Sequence, residues 1–194
     1  MSTFHDVEGV EHVCLTHGDV DGGEAVLCRF HSACMTGEIF GSQRCDCGEQ
    51  LEAAFERIQQ AGRGVIVYLA QEGRGIGLTN KIKAYHVQNQ GYDTVDANRA
   101  LGLPDDTRCY DDANAILKLL GVKSVALMTN NPDKLKSVEA AGLLADREPH
   151  LQAVGSLAQH YVQTKQQRMG HLNGATCEHP PVPSSDFGPL LNAS

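Results

Sequence analysis

The chain has 194 residues, a formal net charge of −8 and 41% hydrophobic residues, which is typical of a globular protein with one sizeable core. The acidic balance disfavours nucleic acid and anionic membranes as partners, and no stretch approaches the roughly 18 apolar residues of a membrane helix. The N-terminal residues lack a signal-peptide pattern, so the seven cysteines predict reduced thiols or metal ligands in the cytoplasm.

The first half of the chain predicts a hairpin, a helix and a buried strand. Two apolar runs around "GDVDGG", in residues 11–32, predict a β-hairpin whose second strand ends just before Cys34. A helix is predicted from the apolar spacing of Leu51, Ala54, Phe55 and Ile58, with Gly62 at its end. The run "GVIVYLA" then predicts a buried strand.

The second half alternates further helices with a strand. A glycine-containing loop leads into a predicted helix over residues 79–90, and "DDANAILKLLGV" predicts another. "SVALMTN" predicts a second buried strand, and the next helix has Asn131 as N-cap, Pro132 at its first position and Gly142 past its end. "SLAQHYVQTKQQRMGH" predicts the last helix.

This order of elements predicts an α/β fold of the α+β type. We expect a mixed sheet with flanking helices, in which the N-terminal β-hairpin leads into a zinc site, as one compact domain over residues 1–172. Residues 173–194 are rich in proline, serine and glycine, and we expect them to form a flexible tail.

Three cysteines, Cys34, Cys45 and Cys47, have the spacing C-x10-C-x-C. An extended backbone around Asp46 would point the thiols of Cys45 and Cys47 to the same side. Three thiolates suit Zn²⁺ and leave its fourth tetrahedral position for water, which favours a catalytic site. The alternatives are a redox pair at Cys45 and Cys47, buried structural thiols, or a structural zinc completed by a distant histidine such as His31.

The loop "QEGRGIGLTNK" places Glu72, Arg74 and Lys81 around three glycines. Glycines let backbone N–H groups approach a ligand closely, and Arg74 can bind a phosphate with two hydrogen bonds. The carboxylate of Glu72 can accept hydrogen bonds from a base edge. The loop matches neither the phosphate-binding P-loop nor the dinucleotide-binding pattern, so by itself it indicates little.

Together these segments closely resemble GTP cyclohydrolase II. The segments are "RFHSACMTGEIFGSQRCDCGEQLEAA", "QEGRGIGLTNKIKAYHVQNQGYDTVDAN" and "TNNPDKL", and "YVQTKQQRMGH" resembles that family's closing segment. The resemblance runs from about residue 11 to residue 171. It implies that Cys34, Cys45 and Cys47 bind zinc, that Asp106 and Arg108 are proton acceptor and nucleophile, and that Tyr85 is an active-site tyrosine. It also implies GTP contacts at Arg29, Phe30, His31, Ser32, Ala33, Gln50, Glu72, Gly73, Arg74, Thr94, Thr129 and Lys134.

The implied reaction is the first step of riboflavin biosynthesis, in which water opens the imidazole ring of GTP and formate and pyrophosphate are released. The resemblance further implies a zinc ion, expected as one Zn²⁺ per chain, and a homodimer, and we expect Mg²⁺ with the triphosphate because it usually bridges such phosphates. Because a guanidinium stays protonated, Arg108 is a poor nucleophile, and charge stabilisation at the α-phosphate is the simpler role.

Two departures from the family pattern and two alternative functions accompany this assignment. The family's opening strand is not matched, which leaves the sheet edge open, and Ala33 stands where an acidic residue is common. The first alternative is a diverted relative that stops at a formamidopyrimidine product. The second is a non-catalytic relative that binds zinc and nucleotide, although every matched catalytic position is filled.

Overall fold

A six-stranded mixed sheet forms the centre of the protein in a computed structural model, which describes residues 1–150 and 156–172. The strands are β1 (Ser2–His5), β2 (Glu11–His17), β3 (Val26–Ser32), β4 (Gly64–Leu69), β5 (Ser124–Met128) and β6 (Leu144–Glu148), in the spatial order β1-β2-β4-β3-β5-β6. Strands β3 to β6 pair in parallel, whereas β1 and β2 add an antiparallel edge beside β4. The predicted mixed α/β sheet is therefore confirmed.

The predicted pairing of residues 11–17 with residues 26–32 as a hairpin is wrong. β4 lies between these strands, antiparallel to β2 and parallel to β3. Its side chains are buried on both faces of the sheet, and a strand of this kind is most stable at a central position. The N-terminal hairpin is formed instead by β1 and β2. β1 is therefore the edge strand of the sheet, which the family resemblance had left undetermined.

Seven α-helices flank this sheet in the described part of the chain. They are α1 (Met35–Glu38), α2 (Cys47–Ala61), α3 (Gly77–Gln88), α4 (Thr94–Ala100), α5 (Asp111–Leu119), α6 (Pro132–Ala140) and α7 (Ser156–Met169). All but α1 and α4 were predicted. None of the described helices is both long and apolar enough to span a membrane.

Local sequence signals fix the ends of the predicted helices. The Asn131 side chain accepts a hydrogen bond from the Asp133 N–H at 2.9 Å, and Pro132 opens α6, as expected. α2 ends at Gly62, whose φ of 69° is left-handed and favours glycine.

Two apolar clusters pack on opposite faces of the sheet. One contains Phe30, Leu117 and Leu127, all fully buried, and it is closed by α5 and α6. The other places Ala54 and Ile58 of α2 against Ile66 of β4. Each fully buried aliphatic or aromatic side chain contributes about 1.5–3 kcal/mol, so these clusters hold the strand ends rigidly.

The parallel strands β3, β4 and β5 end at the same edge of the sheet. Cys34 follows β3, the 3₁₀ turn Glu72–Gly75 follows β4, and Thr129 follows β5. Ligands of open α/β sheets bind at this edge, beyond the carboxyl ends of the strands. The predicted tail, residues 173–194, lies outside the described residues, so the domain boundary at residue 172 stays a prediction.

Candidate active site

The thiols of Cys34, Cys45 and Cys47 converge on one point between β3 and α2. The Sγ atoms of Cys34 and Cys45 are 3.6 Å apart, and all three Sγ atoms lie within 4.8 Å of one another. Zn–S bonds of about 2.3 Å at tetrahedral angles separate two sulfur atoms by about 3.8 Å, so the three thiols fit such an ion. Gly37 makes this approach possible, because a Cβ there would lie 2.8 Å from the Cys45 sulfur.

Free and buried thiols are also compatible with structural cysteines or a reduced redox pair, whereas a zinc site completed by His31 is not supported by the described residues. The three thiols are free in the structure, so Cys45 and Cys47 are not joined by a disulfide. His31 is not part of the cluster, since its Nε2 lies 2.9 Å from the Glu38 carboxylate. The three-ligand arrangement can therefore hold a metal ion and keep one position open.

Lys81 supplies a positive charge to this cluster. Its Nζ donates to the Cys34 sulfur at 3.0 Å and to Glu72 Oε1 at 2.7 Å. Hydrogen bonds from Cys45 and Cys47, and then the ammonium of Lys81, hold the pKa of Cys34 below its usual value. The thiolate of Cys34 is thus favoured before any ion binds, whereas the hydrogen bonds with Cys34 raise the pKa of Cys45 and of Cys47.

Glu72 is occupied by donors from within the protein. Its Oε2 accepts the Met35 N–H at 2.7 Å, and its Oε1 accepts the Gly73 N–H at 2.9 Å as well as Lys81. A carboxylate has about four acceptor sites, so little capacity is left for a base edge. The structure therefore favours a role for Glu72 in holding α1 and Lys81 in place.

The turn after β4 adopts left-handed backbone at three successive residues. Gly73, Arg74 and Gly75 have φ values of 64°, 63° and 88°, and left-handed backbone at an arginine costs of order 1–3 kcal/mol. A Cβ at Gly75 would lie 2.2 Å from Thr107 Oγ1, and the Thr107 N–H donates to the Arg74 carbonyl at 3.0 Å. The turn is thus locked to the loop that carries Asp106 and Arg108.

The first cavity, here called the thiol cavity, has a volume of about 320 Å³. The three cysteines line it together with Tyr85, whose hydroxyl lies 3.3 Å from that of Thr36. The guanidinium of Arg44 stacks 5.0 Å from the centre of the Tyr85 ring. Of the predicted site residues, Ser32, Ala33, Glu72, Gly73, Arg74, Thr94 and Arg108 also line this cavity.

A second cavity, here called the basic cavity, adjoins the first and shares Ser32, Cys47 and Arg108 with it. Its lining includes the predicted residues Arg29, His31, Gln50, Thr129 and Lys134. Arg29 donates to the Met128 carbonyl at 2.8 Å, and Lys134 donates to the Phe30 carbonyl at 2.7 Å. Burial, and then the neighbouring Arg29 and Arg108, lower the pKa of Lys134.

Asp106 and Arg108 form a tight ion pair at the mouth of these cavities. Arg108 Nε and Nη2 bind Asp106 Oδ1 and Oδ2 at 2.9 and 2.5 Å. Although burial opposes ionisation, these hydrogen bonds and the charge of Arg108 lower the pKa of Asp106. Arg108 lines the thiol cavity and the basic cavity. It also lines a third cavity, which Asp106 lines as well.

The predicted site residues are thus brought together with one exception. The Phe30 side chain is fully buried in the core and stacks on Tyr110 with ring centroids 6.3 Å apart. Only its backbone faces the site, through the carbonyl that accepts Lys134.

Further residues that line the site were not among the predicted site residues, and they include Arg44, Lys81, Lys165 and His171. The first two lie within the segments that carry the resemblance, which was a usable signal. The last two lie within the resembling C-terminal segment, but nothing in their spacing indicates a ligand.

A second cluster of possible metal ligands contains Asp6, His12 and Asp112. His12 Nε2 lies 3.5 Å from Asp112, but His12 Nδ1 accepts the Ala70 N–H at 3.2 Å. An Nδ1 that accepts a hydrogen bond leaves the proton of neutral imidazole on Nε2, which therefore has no lone pair for a metal. This cluster is better explained as a histidine that ties β2 to α5.

Thiols and buried cations collected at the ends of parallel strands are an arrangement that can hold a metal ion and a small anionic molecule, as in an α/β enzyme. Comparison with known proteins agrees with this class. A family model described as GTP cyclohydrolase II matches residues 1–147. The chain belongs to the GTP cyclohydrolase II family of enzymes.

Two relatives illustrate the similarity. The GTP cyclohydrolase-2 of Neisseria meningitidis (serogroup A) is 51% identical over 173 residues, which cover 89% of this chain and 88% of that protein. The riboflavin biosynthesis protein RibBA of Bacillus subtilis is 52% identical over 170 residues, which cover 87% of this chain and 43% of that longer protein.

Proposed function

We propose that the chain is a zinc-dependent hydrolase that converts GTP to 2,5-diamino-6-hydroxy-4-(5-phosphoribosylamino)pyrimidine, formate and pyrophosphate, the first step of riboflavin biosynthesis. One observation carries the proposal. Three thiols and a group of buried cations lie in adjoining cavities that share Ser32, Cys47 and Arg108, in a chain of the GTP cyclohydrolase II family. One ligand can therefore place a ring at the thiols and its phosphates among the cations.

Cys34, Cys45 and Cys47 would hold the zinc ion. When bound, Zn²⁺ lowers the pKa of water towards about 7 and so provides a nucleophile for a poorly electrophilic ring carbon. Lys81 holds Cys34 in place, and Glu72 in turn holds Lys81. Hydrogen-bonded partners of this kind orient metal ligands.

Tyr85 is the proposed proton donor or orienting group for the opened ring. Its hydroxyl faces the thiol cavity beside Thr36, and burial raises its pKa, so it stays protonated at neutral pH. Arg44 stacks on the ring and fixes its orientation. A protonated phenol in a fixed position can donate a hydrogen bond to the departing nitrogen or to the formamide oxygen.

At the phosphate end, Arg108 would stabilise the charge that develops at the α-phosphate. Its donors are oriented by the bidentate contact with Asp106, which can also position an attacking water or accept its proton. Arg29, Gln50, Thr129 and Lys134 would bind the phosphates within the basic cavity. His31, Ser32, Ala33, Gly73, Arg74 and Thr94 complete the proposed GTP contacts.

Four further expectations stay predictions. Mg²⁺ is expected to accompany the triphosphate, because it commonly bridges phosphate oxygens in nucleotide sites. The family resemblance implies a homodimer, which analytical ultracentrifugation would test. Cytoplasmic function is expected from the reduced cysteines, and no role in binding nucleic acid or membranes is expected from the net charge of −8.

One incubation with GTP and Mg²⁺ tests the proposal, with formate, pyrophosphate and bound zinc measured together. We expect equimolar formate and pyrophosphate with about one zinc per chain. Pyrophosphate without formate would identify a diverted enzyme that stops at a formamidopyrimidine. Neither product, with zinc and GTP retained, would make the chain a non-catalytic relative.

A further inference from the structure

Helix α7 and the turn after it form one wall of the basic cavity. Lys165 and His171 line this cavity, and no motif of the sequence gave either a role. The His171 N–H donates to the Lys165 carbonyl at 3.2 Å, so the turn folds back onto the helix and brings the two residues together.

Polar contacts hold this wall to three separate parts of the site. Lys165 Nζ donates to Asp46 Oδ1 at 3.3 Å, between two of the metal-binding cysteines. Arg168 binds the carboxylates of Asp93 and Asp96 at the start of α4, and the Leu172 N–H donates to the Asn130 carbonyl at 2.8 Å. α7 therefore spans the cleft from α4 to the loop after β5.

The charges that line the basic cavity are unbalanced. Four cations line it, and two of them are already paired: Arg108 binds Asp106, and Lys165 binds Asp46, the one carboxylate among the described residues of the lining. The nearest acceptors of Arg29 and Lys134 are neutral carbonyl and amide groups. Holding several like charges in a partly buried space is costly unless a polyanion neutralises them.

The geometry points to Lys165 and His171 as further substrate-binding residues, which hold the distal phosphates of the nucleoside triphosphate. With the α-phosphate at Arg108, as proposed above, where the thiol and basic cavities meet, the β- and γ-phosphates would extend through the basic cavity towards α7. Lys165 supplies the charge-assisted contact, and His171 supplies an imidazole N–H. This inference rests on the proposed function for the identity of the nucleotide, but not for the phosphate site itself.

The electrostatic surroundings of His171 agree with this assignment. Burial, followed by the charges of Lys165, Arg108 and Lys134, lowers the pKa of His171 to about 3. The imidazole is therefore neutral at physiological pH without a ligand. An anion placed among these groups would raise that pKa again, since it offsets the same repulsion.

Inorganic triphosphate, titrated calorimetrically into the full-length chain, tests the phosphate site without any need for turnover. We expect Lys165→Gln and His171→Ala each to weaken its binding by about 10-fold or more, the usual effect of losing one charge-assisted hydrogen bond. Lys165→Arg should retain most of the affinity. Lys118→Gln on α5, an exposed site away from the cavities, is the charge-matched control and should bind as the wild type does.

A comparison of GTP with GMP separates a phosphate contact from a structural role. If Lys165 binds the distal phosphates, Lys165→Gln weakens GTP much more than GMP. Equal weakening of both ligands would show that Lys165 acts only by attaching α7 to Asp46, and it would overturn the inference. Wild-type affinity of both variants for inorganic triphosphate would also overturn it.

The proposed function fails independently of this inference. A chain that binds inorganic triphosphate through Lys165 and His171, yet releases no formate from GTP, would retain the phosphate site and lose the cyclohydrolase assignment.

Discussion

The thiol cavity and the basic cavity share a wall, but they handle buried charge in opposite ways. In the thiol cavity Lys81 lies between the Cys34 sulfur and the Glu72 carboxylate, so its charge has partners of opposite sign. In the basic cavity Arg29 and Lys134 bind neutral carbonyl and amide oxygens, and positive charges face one another. The first arrangement suits the proposed metal ion, and the second suits the proposed ligand, which brings its own negative charge.

The largest expected effect comes from removing one thiol. Cys45→Ser should lose bound zinc and lower formate release at least about 100-fold, because two thiolates no longer complete the metal site. Metal content by mass spectrometry and formate release measure the two effects on one sample. Cys109→Ser, which changes an exposed thiol outside the cluster, is the matched control. Full formate release from a metal-free Cys45→Ser protein would contradict the zinc mechanism.

Substitution of Arg108 or Asp106 should impair pyrophosphate release and leave the bound metal in place. Arg108→Ala is expected to lower pyrophosphate release by about 10²–10³-fold, because a donor that stabilises developing charge is lost. Asp106→Ala should have a similar but smaller effect, since Arg108 then loses its orientation. Pyrophosphate release at the wild-type rate in both variants would show that a different pair cleaves the phosphates.

Glu72→Gln separates two roles of one carboxylate. We expect kcat/KM to fall about 10-fold for GTP and for its hypoxanthine counterpart ITP alike, because the charged contact with Lys81 is weakened. Steady-state kinetics with both nucleotides measure the ratio. A fall confined to GTP, which alone has the 2-amino group, would restore Glu72 as the residue that reads the base.

The smallest expected effect concerns stability rather than catalysis. His150 is buried beside the basic cavity, its Nε2 lies 2.8 Å from the Gln50 carbonyl, and burial lowers its pKa to about 2. Because the unfolded chain binds this proton near pH 6.5, stability from this group is present above that pH and is lost as the pH falls. The expected slope is about 1.4 kcal/mol per pH unit.

Urea unfolding between pH 7 and pH 5 measures that slope. His150→Asn should reduce it, whereas His5→Asn, on an exposed edge residue, should not. An unchanged slope in His150→Asn would mean that the folded protein protonates this histidine readily.

Local signals in the sequence were sufficient for most helices and for the thiol cluster. Asn131 and Pro132 predicted the start of α6, because capping depends on neighbouring residues alone. The cysteine spacing predicted convergence, because Cys45 and Cys47 lie on one short segment and Cys34 follows the adjacent strand. The helix α1 has only four residues, too few for a periodic pattern to show.

Long-range pairing could not be predicted in the same way. The turn signals in residues 18–23 are compatible with β3 pairing with β2 and with β3 lying elsewhere in the sheet. The burial of β4 on both faces favours the second arrangement, in which β4 lies between the two strands. The contact between Lys165 and Asp46 joins residues 119 positions apart, so no local pattern encodes it. The three donors to Glu72 come from α1, from its own turn and from α3. Because two of these elements meet Glu72 only in the folded protein, the sequence left its carboxylate available to bind a base.

The close approach of Gly75 to Thr107 has a consequence for how such an enzyme can be altered. The turn beside the thiols and the loop carrying Asp106 and Arg108 meet at an atom pair that leaves no room for a methyl group. A side chain at position 75 would displace both loops at once, and with them the groups proposed for ring opening and for phosphate cleavage. Changes intended to alter only one of the proposed steps should therefore be made at Tyr85 or along α7. The contact between Gly75 and Thr107 should be left unchanged.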